Sequence, residues 1–272
     1  MSITLPQKFV SFFESWKSKH IYQIFITEAL LFFILYLVFT SAAALMESSA
    51  YNLSGGKSPD ELKQMLVNGS ADQAQEFLSQ LKGFFLLFVA IIIALPTFFI
   101  FSYSLVQAYN WNFLLNKALT RKNYWRWNGL NLAVLLSLAV YLLVVLLIKF
   151  ILSLTIPEGN FSYLLNLILS IIFIIVFFYY LFLVHYHFVQ HHKIWISIAA
   201  PFQYLKQQLS NLSWSFLFSF LTLVLLSLLQ MGINWLFNLP EKLSLGINVM
   251  FFLFYLAWLR VYVLRVVEEK HS

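Results

Sequence analysis

Six apolar runs, each long enough to cross a bilayer, leave this chain few ways to fold. They lie at about 21–45, 83–109, 129–152, 161–189, 213–237 and 243–266. A hydrocarbon core of about 30 Å takes roughly 20 helical residues at 1.5 Å each. Water is absent there, so every backbone N–H and C=O must be satisfied within a helix or a closed barrel. The runs are continuous and do not alternate in polarity, which excludes the barrel. The expected fold is all-α: a polytopic membrane helical bundle with six transmembrane helices, one integral membrane domain over 1–272. Composition agrees, since 61% of residues are hydrophobic and 10% charged, with a mean hydropathy of +0.80, where a soluble domain carries about a quarter charged residues.

Orientation follows from lysine and arginine. The segment 1–20, the 110–128 connection with Lys117, Arg121, Lys122 and Arg126, the 190–212 connection with Lys193 and Lys206, and the tail with Arg265 and Lys270 all fall on one side. The opposite loops carry Glu47, Asp60, Glu61, Asp72, Glu76, Glu158 and Glu241. The excess of basic residues marks the cytoplasmic face, so both termini are expected there, in a protein of the plasma membrane. That asymmetry also accounts for the net charge of +6 without a nucleic-acid partner. The basic residues before the first run and the "SAAAL" after it resemble a signal peptide, but the run is long enough for a full span and reads as an uncleaved helix.

Polar segments with helical apolar spacing precede the odd-numbered spans: Phe9, Phe12, Phe13 and Trp16; then Leu115, Leu119, Trp125 and Trp127; then Ile194, Ile198, Phe202, Leu205 and Leu209. Such helices lie in the headgroup plane with the apolar face down. Even-numbered spans close in "FSYSLVQAYNW", "FYYLFLVHYHF" and "FYLAWLRVYVL", which align on Tyr109, Tyr186 and Tyr262. Three repeats of a two-span unit are therefore expected, set against the general preference of Tyr and Trp for membrane interfaces. The outer loop 46–82 should hold two short helices, capped by Ser58 with Pro59 behind it and by Ser70 after the Gly69 break. Glycosylation sequons begin at Asn52, Asn68 and Asn160.

Polar residues inside the spans are the candidate sites, because a buried charge in lipid must find a partner, water or a proton. Glu28 lies about 10 Å into the first span and Arg260 at similar depth in the sixth. The expectation is a Glu28–Arg260 ion pair joining first and last helices, with Gln107, Asn131 and His185 nearby. It reads either as a clasp or as a proton- or substrate-coupled site. A second set, Lys149, Asn166, Gln230, Asn234 and Asn248, lies toward the outer side.

His187, His191 and His192 have the His-x-x-x-His-His spacing of one box of membrane desaturases, but six histidines in all cannot furnish the roughly eight imidazoles that a di-iron centre needs. A mononuclear zinc site would need a further ordered ligand set. The cluster stands where the fourth span meets the headgroups, so no metal and no cofactor are expected. Zero cysteines exclude thiolate chemistry. Walker, nucleophile-elbow and dinucleotide motifs are absent from the sequence.

Basic amphipathic segments such as "NKALTRKNYWRW" and "PFQYLKQQLSNLSW" ahead of span pairs give a layout that resembles six-span prokaryotic proteins grouped with the membrane domain of glycerophosphodiester phosphodiesterases. The soluble catalytic domain of those enzymes has no counterpart here, and the resemblance implies no residue roles. The expected function is non-enzymatic: a lipid-associated scaffold, accessory or membrane-homeostasis protein. Its expected partners are anionic headgroups of the cytoplasmic leaflet, with another membrane protein as a further candidate. The alternatives are a small transporter or channel component built on Glu28 and Arg260, and a lipid-modifying enzyme using the histidines.

Overall fold

A computed structural model describes residues 5–56, 59–68, 70–157 and 159–268. Among these the chain is all-helical: α1 (Leu5–Trp16), α2 (His20–Ser54), α3 (Pro59–Asn68), α4 (Ala71–Leu114), α5 (Arg121–Thr155), α6 (Asn160–His191), α7 (Ile194–Phe237) and α8 (Glu241–Glu268). Six of them, α2 and α4 to α8, are long and apolar enough to cross a membrane. The protein is an integral membrane helical bundle.

Helix ends outrun the apolar runs. Hydropathy marks the part of a helix that sits in hydrocarbon, whereas the hydrogen-bonded helix continues until a residue stops it. Thus α2 extends to Ser54, where Gly55 and Gly56 take positive φ. Of the two short outer helices expected, α3 forms separately, but the second is the beginning of α4. No proline or glycine interrupts the chain between Ser70 and the apolar run that starts near Gly83. The cap at Ser58 and the break at Gly69 lie outside the described residues. Pro96 sits inside an unbroken α4.

The amphipathic segments diverge in the same way. The first is a helix of its own, α1. The second is not: Leu115 and Leu119 fall in a non-helical connection, and Trp125 and Trp127 belong to α5. α4 ends there in a Schellman motif, with Asn116 in the left-handed region (φ 51°), the Lys117 amide donating to the Asn112 carbonyl (2.8 Å) and the Asn116 amide to Phe113 (3.2 Å). Thr120 then caps α5 by accepting from the Asn123 amide. The third merges into α7, which passes through Pro201.

The chain divides into two compact units, 1–29 with 104–272 and 30–103. The second unit comprises the later part of α2, α3 and the earlier part of α4, with apolar side chains such as Phe33, Tyr36, Phe85 and Ile93 exposed for lipid to cover. The first unit contains the core. In α5, α6 and α8 its buried residues gather at one end: Trp127 to Val134 near the start of α5, Ile175 to Val189 late in α6, Tyr255 to Val267 late in α8. This end also carries Lys117, Arg121, Lys122, Arg126 and Lys193, and is called the basic end below. α1 packs one face against it, with Ser11 and Ser15 buried, Trp16 stacked on Trp258 at 5.1 Å and Phe12 edge-on to the same ring at 5.6 Å. Phe13 and Val10 stay exposed. The three aligned tyrosines do not share an environment, since Tyr186 and Tyr262 are buried while Tyr109 is 43% exposed.

Candidate functional site

The core of the basic end is polar at its centre. Glu28 from α2 and Arg260 from α8 form an ion pair with side chains 7% and 2% exposed. The same guanidinium nitrogen, Nη2, donates to Gln107 Oε1 of α4 at 3.0 Å. The guanidinium rests against two neighbouring aromatic rings, its central carbon 5.7 Å from the Trp111 ring centroid and 5.2 Å from that of Phe182. Arginine suits this position because its flat, weakly hydrated cation combines directed hydrogen bonds with aromatic faces. Burying each charge alone would cost several kcal/mol, which the pairing must offset.

A second network lies alongside. Asn131 of α5 donates to Ser104 Oγ of α4 at 2.9 Å, and its Oδ1 faces His185 Nε2 of α6 at 3.0 Å. His185 is fully buried, 5.1 Å from the Trp127 ring and 6.1 Å from that of Trp111. Since Asn131 Oδ1 only accepts, His185 carries its proton on Nε2. Trp111 of α4 stands beside both Arg260 of α8 and His185 of α6, so one indole joins the two networks. Of the residues singled out from sequence, Glu28, Arg260 and Gln107 come together, and Asn131 and His185 form the neighbouring pair. Ser104, Trp111 and Phe182 were not singled out. Aromatics and serines are scattered through every span, and only their position opposite Arg260 and Asn131 distinguishes these three.

Several buried atoms of this set have no hydrogen-bond partner among the described residues: Glu28 Oε2, Arg260 Nε and Nη1, His185 Nδ1 and Trp111 Nε1. Thr27 and Asn110 make a further α2–α4 bond at 2.8 Å, and Gln23 donates to Tyr109 at 2.7 Å. Arg265 and Glu14 tie α8 to α1 at 2.5 Å, at a half-exposed position.

The histidine cluster is dispersed. His187 and His191 stack ring on ring at 6.3 Å, while His192 turns away as the left-handed cap of α6, its backbone amide donating to Phe188 O at 2.7 Å. Its ring packs edge-on against Phe188. Among the described residues no three His, Asp or Glu side chains gather in a way that could hold a metal ion. Burial first, then the charges of Lys117 and Arg126, hold the His192 imidazole below its ordinary pKa.

The outer polar set forms no common site. Lys149 donates to Ser170 Oγ at 2.7 Å, and that hydroxyl donates to Asn166 O at 2.6 Å. Asn234 on α7 and Asn248 on α8 are half-buried, each with a buried Oδ1 that finds no partner among the described residues.

A cleft of about 480 Å³ opens between α5, α6 and α7. Val140 and Tyr141, Phe177 and Tyr180, and Ile198 and Phe202 line it, two from each helix in turn. Comparison with family models, with curated proteins and with solved structures finds no match to this chain.

Proposed function

We propose that this protein is a non-enzymatic, lipid-associated component of the membrane, anchored to the anionic headgroups of the cytoplasmic leaflet by its basic end and serving there as a scaffold or accessory protein. The observation that carries this reading is the surface of that end. Arg121, Lys122, Arg126 and Lys193 are exposed, with Trp125 and Trp195 (78% exposed) close to them in the chain. Indole rings prefer the level of the headgroups, and each lysine or arginine close to an anionic surface contributes about 1 kcal/mol. α1 adds Phe13 and Val10, exposed on the face turned away from α8. The resemblance in layout to the membrane domain of glycerophosphodiester phosphodiesterases fits a role at phospholipid surfaces.

The test is lipid selectivity. Protein extracted from membranes and exchanged into an equimolar mixture of phosphatidylglycerol and phosphatidylcholine should retain the former preferentially, as counted by native mass spectrometry. Equal retention refutes the reading. Sidedness has its own check: the chain has no cysteine, so a Lys122→Cys variant should react with impermeant maleimide only when the cytoplasmic face is open.

A transport role has one specific support, the partnerless Glu28 Oε2 and Arg260 Nη1, which a passing proton or polar solute would satisfy. Under that reading Glu28→Gln abolishes uptake driven by a proton gradient in proteoliposomes while folding persists.

A further inference from the structure

The cleft between α5, α6 and α7 presents carbon almost throughout. Of the four hydroxyls that border it, three are engaged within the protein: Tyr141 donates to Phe173 O at 2.7 Å, Ser137 to Ala133 O at 2.9 Å, and Tyr179 pairs with Ser219 at 2.9 Å. A polar solute would find little to bond beyond Tyr180, whereas a hydrocarbon chain loses nothing. The volume falls within the range of about 300–1,000 Å³ typical of ligand sites.

The same three helices converge on cations at the basic end. α5 and α7 come close at Gly129, where an added Cβ would lie 3.0 Å from Ile194 Cδ1. Arg126 lies one turn before that glycine and Lys193 immediately before that isoleucine. Lys117 is fixed beside them by donating to Val189 O (2.9 Å) and Gln190 Oε1 (3.0 Å) at the end of α6. His192, which precedes Lys193 in the chain and lies within reach of the charges of Lys117 and Arg126, has a buried Nδ1 with no partner among the described residues. Among the described residues no carboxylate pairs with Lys117, Arg126, His192 or Lys193, the two ion pairs there being Glu28–Arg260 and Glu14–Arg265. Lys193 caps α7 without a side-chain bond to its first turn, whose amides add to the positive potential.

Spacing connects cations to cleft. From Arg126 to Val144, at the deep end of the cleft, the α5 axis runs about 27 Å at 1.5 Å per residue. One leaflet, headgroups included, is half of a bilayer about 40–45 Å thick. The stretch from Arg126 to Val140, about 21 Å of that axis, therefore matches the length of one phospholipid.

We propose that this cleft is a binding site for a single anionic phospholipid, its acyl chain along Val140, Phe177, Tyr180 and Phe202 and its phosphate against Arg126, His192, Lys193 and Lys117. The proposal rests on the lipid-associated reading above and adds to it a defined address.

The experiment uses the full chain in nanodiscs of phosphatidylcholine containing a minor fraction of phosphatidylglycerol that bears a diazirine on its acyl chain. Irradiation should label peptides from α5, α6 and α7 that contain the cleft residues well above exposed apolar segments such as 30–40 and 85–93. Even labelling along all lipid-facing segments overturns the proposal and needs no variant. Arg126→Gln with Lys193→Gln should cut cleft labelling by the phosphatidylglycerol probe about 25-fold, about fivefold per charge, while a phosphatidylcholine probe of the same chain is unchanged. Val140→Trp should abolish cleft labelling by both probes, with a thermal melt reporting that the variant is folded. Unchanged labelling in either variant overturns the site. A wild-type protein that prefers phosphatidylglycerol in bulk retention yet labels evenly refutes this site alone; one without any preference refutes the broader reading.

Discussion

The two halves of α6 and α8 teach different lessons about how a membrane helix is held. In α6 every buried residue lies from Ile175 onward, and in α8 from Tyr255 onward. The far halves, Asn160–Ile174 and Glu241–Phe254, are equally apolar but largely exposed. Lipid tails are as apolar as leucine, so hydrophobicity alone gives two such helices no reason to prefer each other. What differs at the basic end is shape and polarity: fully buried Trp111, Trp127, Trp258 and Tyr262 interlock there, around an ion pair and an Asn–His bond that would be costly to leave in lipid. The far halves have side chains for lipid to cover and only isolated polar contacts such as Lys149–Ser170.

That contrast breaks most readily at Arg260. Arg260→Ala strands a buried carboxylate and should destabilise the detergent-solubilised protein by about 3–5 kcal/mol. Glu28→Gln combined with Arg260→Gln should cost less than the sum of the single changes, and additive melts would show that the pair is not coupled. Next, Trp258→Ala opens a cavity in the packed half and should cost about 3–5 kcal/mol, whereas Trp235→Ala on α7, 85% exposed, should move stability by less than about 0.5 kcal/mol. Similar losses at both tryptophans would abolish the distinction between halves. Asn131→Ala removes the partner of both Ser104 and His185, with an expected loss of about 1–3 kcal/mol. At the small end, Lys149→Met in the far half should change stability by about 0.6 kcal/mol, the average for a hydrogen bond between membrane helices.

Glu28 and Arg260 could be paired from sequence because depth in a span is a matter of counting residues, and two opposite charges at one depth have few other solutions. Gln107, Asn131 and His185 followed from the same counting. The number and class of the spans were legible because backbone desolvation allows no alternative. Helix bounds were not, since hydropathy reports lipid contact and says nothing about where hydrogen bonding stops; α4 beginning at Ala71 and α7 at Ile194 are the outcome. Nor was the fate of Trp125 and Trp127 legible. Two residues apart on α5, one is 55% exposed and the other fully buried, a difference set by which neighbour each faces. The cleft at Val140 was invisible for the same reason, since a run of valines and leucines does not record which of them face a gap.

The ion pair spans 232 positions of sequence. At about 5–20 residues per second, Glu28 leaves the ribosome some tens of seconds before Arg260, so the opening helix enters the bilayer with an acid whose cation has not yet been made. Until the final helix arrives, that carboxylate must be met by water or sheltered by the insertion machinery. Assembly is thus gated by completion: a prematurely ended chain keeps an unneutralised acid within the membrane, a mark by which quality control could distinguish it from the finished protein.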